Sequence, residues 1–164
     1  MIKGLYAITP SGLEENDLLS KTEVLLKEGI KLIQYRDKIL DKKTFLEKAH
    51  ALLNLTKKYG AKLLINDHVE ICLEISADGF HLGLEDYSSK ANVELLKKNK
   101  EFISKNLICG FSCKWNKELV VNPPENEIKW TYLAVGSFYP SNTKSTIPET
   151  NENVKREFLS YTDK

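Results

Sequence analysis

The chain has little of what would tie it to a secreted, zinc-bound or membrane-borne architecture. Three cysteines, Cys72, Cys109 and Cys113, occur in 164 residues. An odd number with no CxxC pair argues against a disulfide framework and against a zinc knuckle. Free cysteine is among the most buried residue types, so all three are read as small core residues in a reducing compartment. Cys113, beside Ser112 at a strand end, is expected to be the most exposed of them. No apolar run approaches the roughly 20 residues of a membrane span. An excess of one charge is missing as well: 24 basic residues face 23 acidic ones, a formal net charge of +1. Neither nucleic acid nor an anionic membrane is therefore expected as a partner. Solenoid repeats and low-complexity tracts are absent. Met1-Ile2-Lys3-Gly4-Leu5 enters a strand-like run at once, leaving no room for a signal peptide, and a cytoplasmic location is expected.

What is present is a pattern repeated six times: a short apolar run that ends in polar, chemically capable residues. Leu5-Tyr6-Ala7-Ile8 runs into Thr9-Pro10, and Leu32-Ile33 into Gln34-Tyr35-Arg36-Asp37-Lys38. Leu63-Leu64-Ile65 runs into Asn66-Asp67-His68, and Phe80-His81-Leu82 into Gly83-Leu84-Glu85-Asp86. Leu107-Ile108 leads to Gly110-Phe111-Ser112, and Tyr132-Leu133-Ala134-Val135 to Gly136-Ser137. Continuous short apolar runs are the mark of buried parallel strands.

Helical stripes separate the runs. Leu18, Leu19, Thr22, Leu25 and Leu26 form one, closed by Gly29; Phe45, Leu46, Ala49, Leu52, Leu53 and Thr56 form another, closed by Gly60. Further helices are expected over 69–75 and 93–102, a short one within 114–121, and a last one capped by Asn151. Asn122-Pro123-Pro124-Glu125-Asn126 reads as a surface loop, so residues 1–164 form one domain.

Alternating strands and helices imply right-handed βαβ units and a parallel sheet. The expected fold class is α/β, of the TIM (βα)8-barrel type, with only about six βα units present. A closed barrel needs eight, in about 200 residues or more. The chain stops where a seventh strand is expected, leaving two sheet edges that a homo-oligomer would cover. A doubly wound open sheet is the alternative. In barrels of this class the site lies at the strand C-termini, where the polar clusters fall.

Arg36 and Lys38 are two residues apart and point the same way on an extended segment, forming a cationic clamp suited to phosphate oxygens. Their plainer reading is a solvated charge cluster. Asp67 and Asp86 follow neighbouring strands, and magnesium is usually held by one or two carboxylates plus substrate phosphates. Asp67 could instead cap the helix that follows it, and Asp86 a turn before Ser88. Thr143 and Lys144, after Ser141-Asn142, add hydroxyls and a third cation. No GxSxG elbow surrounds Ser112, which argues against a serine nucleophile. His50 is read as structural and His68 as surface; His81 faces either the core or the site. Together these residues suggest a magnesium–diphosphate substrate whose departing diphosphate is stabilised by the protein.

The runs Gly4–Thr9, IQYRDK (33–38), INDHVEIC (65–72), ADGFHLGLED (77–86), GFSC (110–113) and YLAVGSFYPSNTK (132–144) resemble thiamine phosphate synthase in content and order, over essentially the whole chain. The resemblance implies a (βα)8 barrel. The implied activity couples hydroxymethylpyrimidine diphosphate to a thiazole phosphate, giving thiamine phosphate and pyrophosphate with magnesium. Position by position it implies that Gln34, Tyr35, Arg36, Asp37 and Lys38 hold the pyrimidine diphosphate, with Asn66 and Ser112 touching that substrate. Lys144 would grip the diphosphate, so that Arg36, Lys38, Ser112 and Lys144 act in catalysis. Asp67 and Asp86 match the magnesium ligands, and Ser141, Asn142 and Thr143 the loop that holds the thiazole phosphate. The pyrimidine would leave as a stabilised cation that the thiazole nitrogen captures. Ser141 stands where the family often has threonine, which keeps a hydroxyl. The family's seventh strand with its glycine pair, and its eighth strand end, have no counterpart, so the thiazole half of the site looks incomplete. The alternatives are a thiazole tautomerase-like isomerase and a degenerate relative that only binds phosphate ligands.

Overall fold

In the computed structural model, residues 4–124, 128–137 and 156 are described. Six strands alternate with seven helices among them. The strands are β1 (Tyr6–Ile8), β2 (Leu32–Tyr35), β3 (Lys62–Asn66), β4 (Gly79–Leu82), β5 (Ile108–Lys114) and β6 (Tyr132–Val135). The helices are α1 (Glu15–Lys27), α2 (Lys42–Lys58), α3 (Val69–Ile75), α4 (Leu84–Tyr87), α5 (Lys90–Lys98), α6 (Lys100–Asn106) and α7 (Lys117–Val121).

All five strand pairs are parallel, and their order in the sheet is the order in the chain, β1 to β6. A doubly wound sheet reverses its order at a switch point. None occurs among the described residues, whose winding is that of a barrel and not of a doubly wound sheet. The sheet is also curled. A flat sheet of six strands would hold β1 and β6 about 24 Å apart. Yet the Tyr6 hydroxyl of β1 lies 2.8 Å from the Tyr132 hydroxyl of β6, and the two rings meet edge to face at 5.7 Å.

Strand alternation divides the side chains between two layers. Ile33, Tyr35, Leu63, Ile65, Phe80, Leu82, Cys109, Phe111 and Cys113 face outward and are buried under the helices. That layer is the hydrophobic core. All three cysteines are buried, as expected of small core residues. The greater exposure expected of Cys113 is not found. Its thiol points away from the concave side, toward α7, 3.2 Å from the Leu119 carbonyl oxygen.

Local signals account for several helix boundaries. Asp41 caps α2, its carboxylate accepting from the Lys43 and Thr44 amides at 3.0 Å each. Gly29 and Gly60 take positive φ just past α1 and α2, where glycine alone is unstrained. The single helix expected over 93–102 is instead two, α5 and α6, broken at Asn99. There the side-chain amide donates to the Leu95 carbonyl at 2.9 Å, competing with the helical ladder. The helix expected from Asn151 lies outside the described residues except for Arg156, which is helical.

Helices α1 and α2 are joined at Glu23, whose carboxylate accepts from the Tyr59 hydroxyl at 2.6 Å and the Lys58 ammonium at 3.1 Å. The Tyr59 hydrogen bond, with Lys58 second, lowers the Glu23 pKa from 4.5 to about 2. A depressed carboxylate stabilises the fold fully above its ordinary pKa, and that contribution fades as pH falls toward the depressed value. Between pH 4.5 and about 2 the urea midpoint of Glu23→Gln is therefore expected to converge on that of the native chain. A gap that stays constant with pH would assign Glu23 no such role.

Candidate active site

The concave face of the curled sheet opens at the strand C-termini into a cavity of about 810 Å³. Arg36, Lys38, Asn66, Asp67, Asp86 and Ser112 line it, as do Gln34, His81, Lys114 and Tyr132.

Beyond β2 the alternation continues. Arg36 and Lys38 turn into the cavity, and Asp37 between them turns away. Lys38 forms an ion pair with Asp67 at 2.9 Å. Thr9 braces the segment from β1: its hydroxyl accepts from the Arg36 amide at 3.0 Å and donates to the Arg36 carbonyl at 3.2 Å. The Ser11 hydroxyl accepts from the Lys38 amide at 3.2 Å. The cationic pair is thus held by backbone contacts that leave its charged ends facing the cavity.

Two residues expected to contact substrate do not line the cavity. Tyr35 alternates to the helix side, where it is buried and packs on Phe45 with ring centroids 4.3 Å apart. Burial pushes its phenol pKa up. Asp37 is buried as a loop clasp, accepting from the Gly12 amide at 2.8 Å and the Ile39 amide at 3.1 Å. The reason is the same for both: odd and even positions of an extended segment face opposite sides. Gln34 does line the cavity, with its side-chain amide donating to Tyr6 Oη at 2.6 Å. Ser141, Asn142, Thr143 and Lys144 lie outside the described residues.

Asp67 and Asp86 are brought together from two successive strand ends. Asp67 does not cap α3; the capping position is His68, which makes no side-chain cap bond. Asp86 lies within α4 rather than capping a turn. Burial, and then the neighbouring Asp67 carboxylate, raise the Asp86 pKa, which Lys38 partly offsets. Two adjacent carboxylates repel unless a cation lies between or beside them. Among the described residues no group of three or more His, Cys, Asp or Glu side chains gathers to form a metal cage. A pair with room beside it in an open cavity fits magnesium, which keeps water and substrate oxygens in its octahedron.

The floor of the cavity is a polar relay across the sheet. The Tyr132 hydroxyl lies 2.8 Å from Tyr6 Oη and 2.9 Å from His81 Nδ1. His81 therefore faces the site rather than the helix core. Gly110 makes room for this, since a Cβ there would overlap the Tyr132 ring. His50 is exposed, and His68 pairs with Glu70 at 3.6 Å.

Lys114 was not foreseen as a site residue. It follows Ser112 by two, and a bulge in the β5–β6 register between Ser112 and Lys114, with Lys114 at φ 51°, accompanies its turn to the cavity. Strand alternation, counted two residues on from Ser112, is the signal that could have found Lys114.

The winding, the curl and the strand-end cavity define a barrel-type α/β protein whose cavity is lined by charged residues of both signs. Comparison with known proteins sharpens this. The family model described as thiamine monophosphate synthase matches residues 5–160. A thiamine-phosphate synthase of Nitrosospira multiformis is 38% identical over 157 residues, covering 94% of this chain and 63% of the relative. One from a Janthinobacterium species is 36% identical over 143 residues, covering 87% of this chain and 65% of the relative. A solved thiamine phosphate pyrophosphorylase of Pyrococcus furiosus superposes with a TM-score of 0.62 at 26% identity, over 95% of this chain and 80% of that one. The chain belongs to the thiamine monophosphate synthase family, and it spans somewhat less than two thirds of the length of the two synthases compared.

Proposed function

We propose that the chain is a magnesium-dependent transferase, coupling hydroxymethylpyrimidine diphosphate to a thiazole phosphate with release of pyrophosphate. The observation that carries this is the meeting of Arg36, Lys38, Asp67 and Asp86 at one end of a single cavity. The chemistry asks for little more. The bond from the pyrimidine's methylene carbon to the diphosphate oxygen breaks, and its electron pair leaves with the diphosphate. The thiazole nitrogen supplies the pair for the new carbon–nitrogen bond. No protein nucleophile is needed, and the cavity's charged residues act on the leaving group.

Arg36 and Lys38 orient the diphosphate and stabilise the charge it gains. Asp67 and Asp86 would hold magnesium, which when bound would neutralise part of that charge. Ile8, Leu84 and Leu133 give the cavity apolar wall for a flat heteroaromatic ring. Ser141, Asn142, Thr143 and Lys144 would serve the thiazole phosphate and the diphosphate. A cytoplasmic setting suits three buried free thiols, and no described helix is long and apolar enough to cross a membrane. The outer edges of β1 and β6 are assigned to contact with a second copy, which light scattering checks.

The test is one assay: chain, pyrimidine diphosphate, thiazole phosphate and magnesium, scored for thiamine phosphate and pyrophosphate. Product that vanishes with EDTA is expected. Magnesium-dependent binding of the pyrimidine diphosphate without product would reduce the chain to a half-site. Neither product nor binding would overturn the reading.

A further inference from the structure

Asn92 lies in the first turn of α5, away from the strand ends, and is only 5% exposed. A buried side-chain amide must find partners for its N–H groups or carry the cost of desolvation. Its partners are two backbone carbonyls from different segments. The Asn92 Nδ2 donates to the Asp86 carbonyl at 2.7 Å and to the Asp67 carbonyl at 3.3 Å. One amide therefore bridges the peptide units of the two residues whose carboxylates meet in the cavity.

The two ends of this bridge are not equally supported. The Asp86 carbonyl also accepts from the Ser89 hydroxyl at 2.9 Å and the Ser89 amide at 3.3 Å. Asp67 sits at φ 64°, in the left-handed region that aspartate tolerates better than most non-glycine residues but still at a conformational cost. The Asp67 amide donates to the His81 carbonyl at 3.0 Å. Its own carbonyl is met by Asn92.

We propose that Asn92 is a positioning residue: its side-chain amide fixes Asp67 relative to Asp86 so that the two carboxylates converge on one divalent cation. This rests on the magnesium reading above. Helix α5 thereby acts on the site without touching substrate.

The test uses Mn²⁺ as the probe, titrated into the substrate-free chain and read by electron paramagnetic resonance. Asn92→Ala removes the amide, and Asn92→Asp keeps the volume while removing both donors. Loss of an outer-shell partner typically costs about 10–100-fold in metal affinity, and a loss of that size is expected in both variants. Binding of inorganic pyrophosphate in EDTA, which depends on Arg36 and Lys38, is expected to fall by much less than Mn²⁺ affinity, since Thr9 and Ser11 brace that segment and α5 reaches it only through the Lys38–Asp67 pair. All measurements are made below each variant's melting temperature. Mn²⁺ affinity equal to that of the native chain in either variant would overturn the proposal and leave the magnesium reading standing. Parallel loss of Mn²⁺ and pyrophosphate binding would also overturn it, by showing a general structural role. A native chain that binds no Mn²⁺, with or without pyrophosphate, would remove the magnesium reading and this proposal together.

Discussion

An Asp86→Asn variant is expected to lose magnesium-dependent coupling by about 100-fold or more, the scale on which a preorganised charge-stabilising group acts. It is not expected to lose stability. Asp86 is disfavoured in its charged form by burial and by Asp67 beside it. Asparagine keeps the shape and removes the repulsion, so the melting temperature at neutral pH should hold or rise. Lys38 would still pair with Asp67 at its 2.9 Å contact. A variant that is inactive and no less stable is the signature of a group kept for function at a cost in stability. Coupling rates and thermal melts on the same preparation decide it. Retained magnesium-dependent turnover would take Asp86 out of the site.

Gly79→Ala is expected to have the largest effect on folding. Gly79 opens β4 and pairs with Ile108 of β5. A Cβ at Gly79 would stand 2.7 Å from the Ile108 carbonyl carbon and 2.8 Å from its amide nitrogen, with the carbonyl oxygen closer still. These are backbone atoms of a neighbouring strand, so no rotamer change relieves the clash. The strands must separate, and the first pair of the β4–β5 ladder is lost. Overpacking costs about 1–3 kcal/mol, occasionally more, and a backbone obstacle places this case at about 3 kcal/mol or above. That is a large share of the roughly 5–15 kcal/mol that holds a domain folded. Urea denaturation measures it; a loss under about 1 kcal/mol would mean that β4 and β5 yield without strain. Activity should suffer as well, because β5 carries Ser112 and Lys114 and β4 leads to Asp86.

Much of the site was legible in sequence because strand periodicity is local. Arg36 and Lys38 could be paired, and Asp67 and Asp86 placed on successive strand ends, from spacing alone. The same rule, carried one residue further, excludes Tyr35 and Asp37 from the cavity and admits Lys114. The family resemblance did not make that distinction, since it treats the motif from Gln34 to Lys38 as one unit. Asn92 gave no signal, because nothing in the helical stretch around it suggests two carbonyl partners six and 25 residues upstream.

The sequence by itself determined the alternation of six strands with helices and the chemistry of each strand end. Each follows from interactions between residues a few positions apart, where period and capping decide. Only the tertiary structure decided the sheet order, its curl and the convergence of the site. Tyr6 and Tyr132 are 126 residues apart, and their meeting reflects the sum of strand twist, helix packing and the space left by Gly110. Such contacts depend on how every intervening unit packs, and no local pattern encodes that sum.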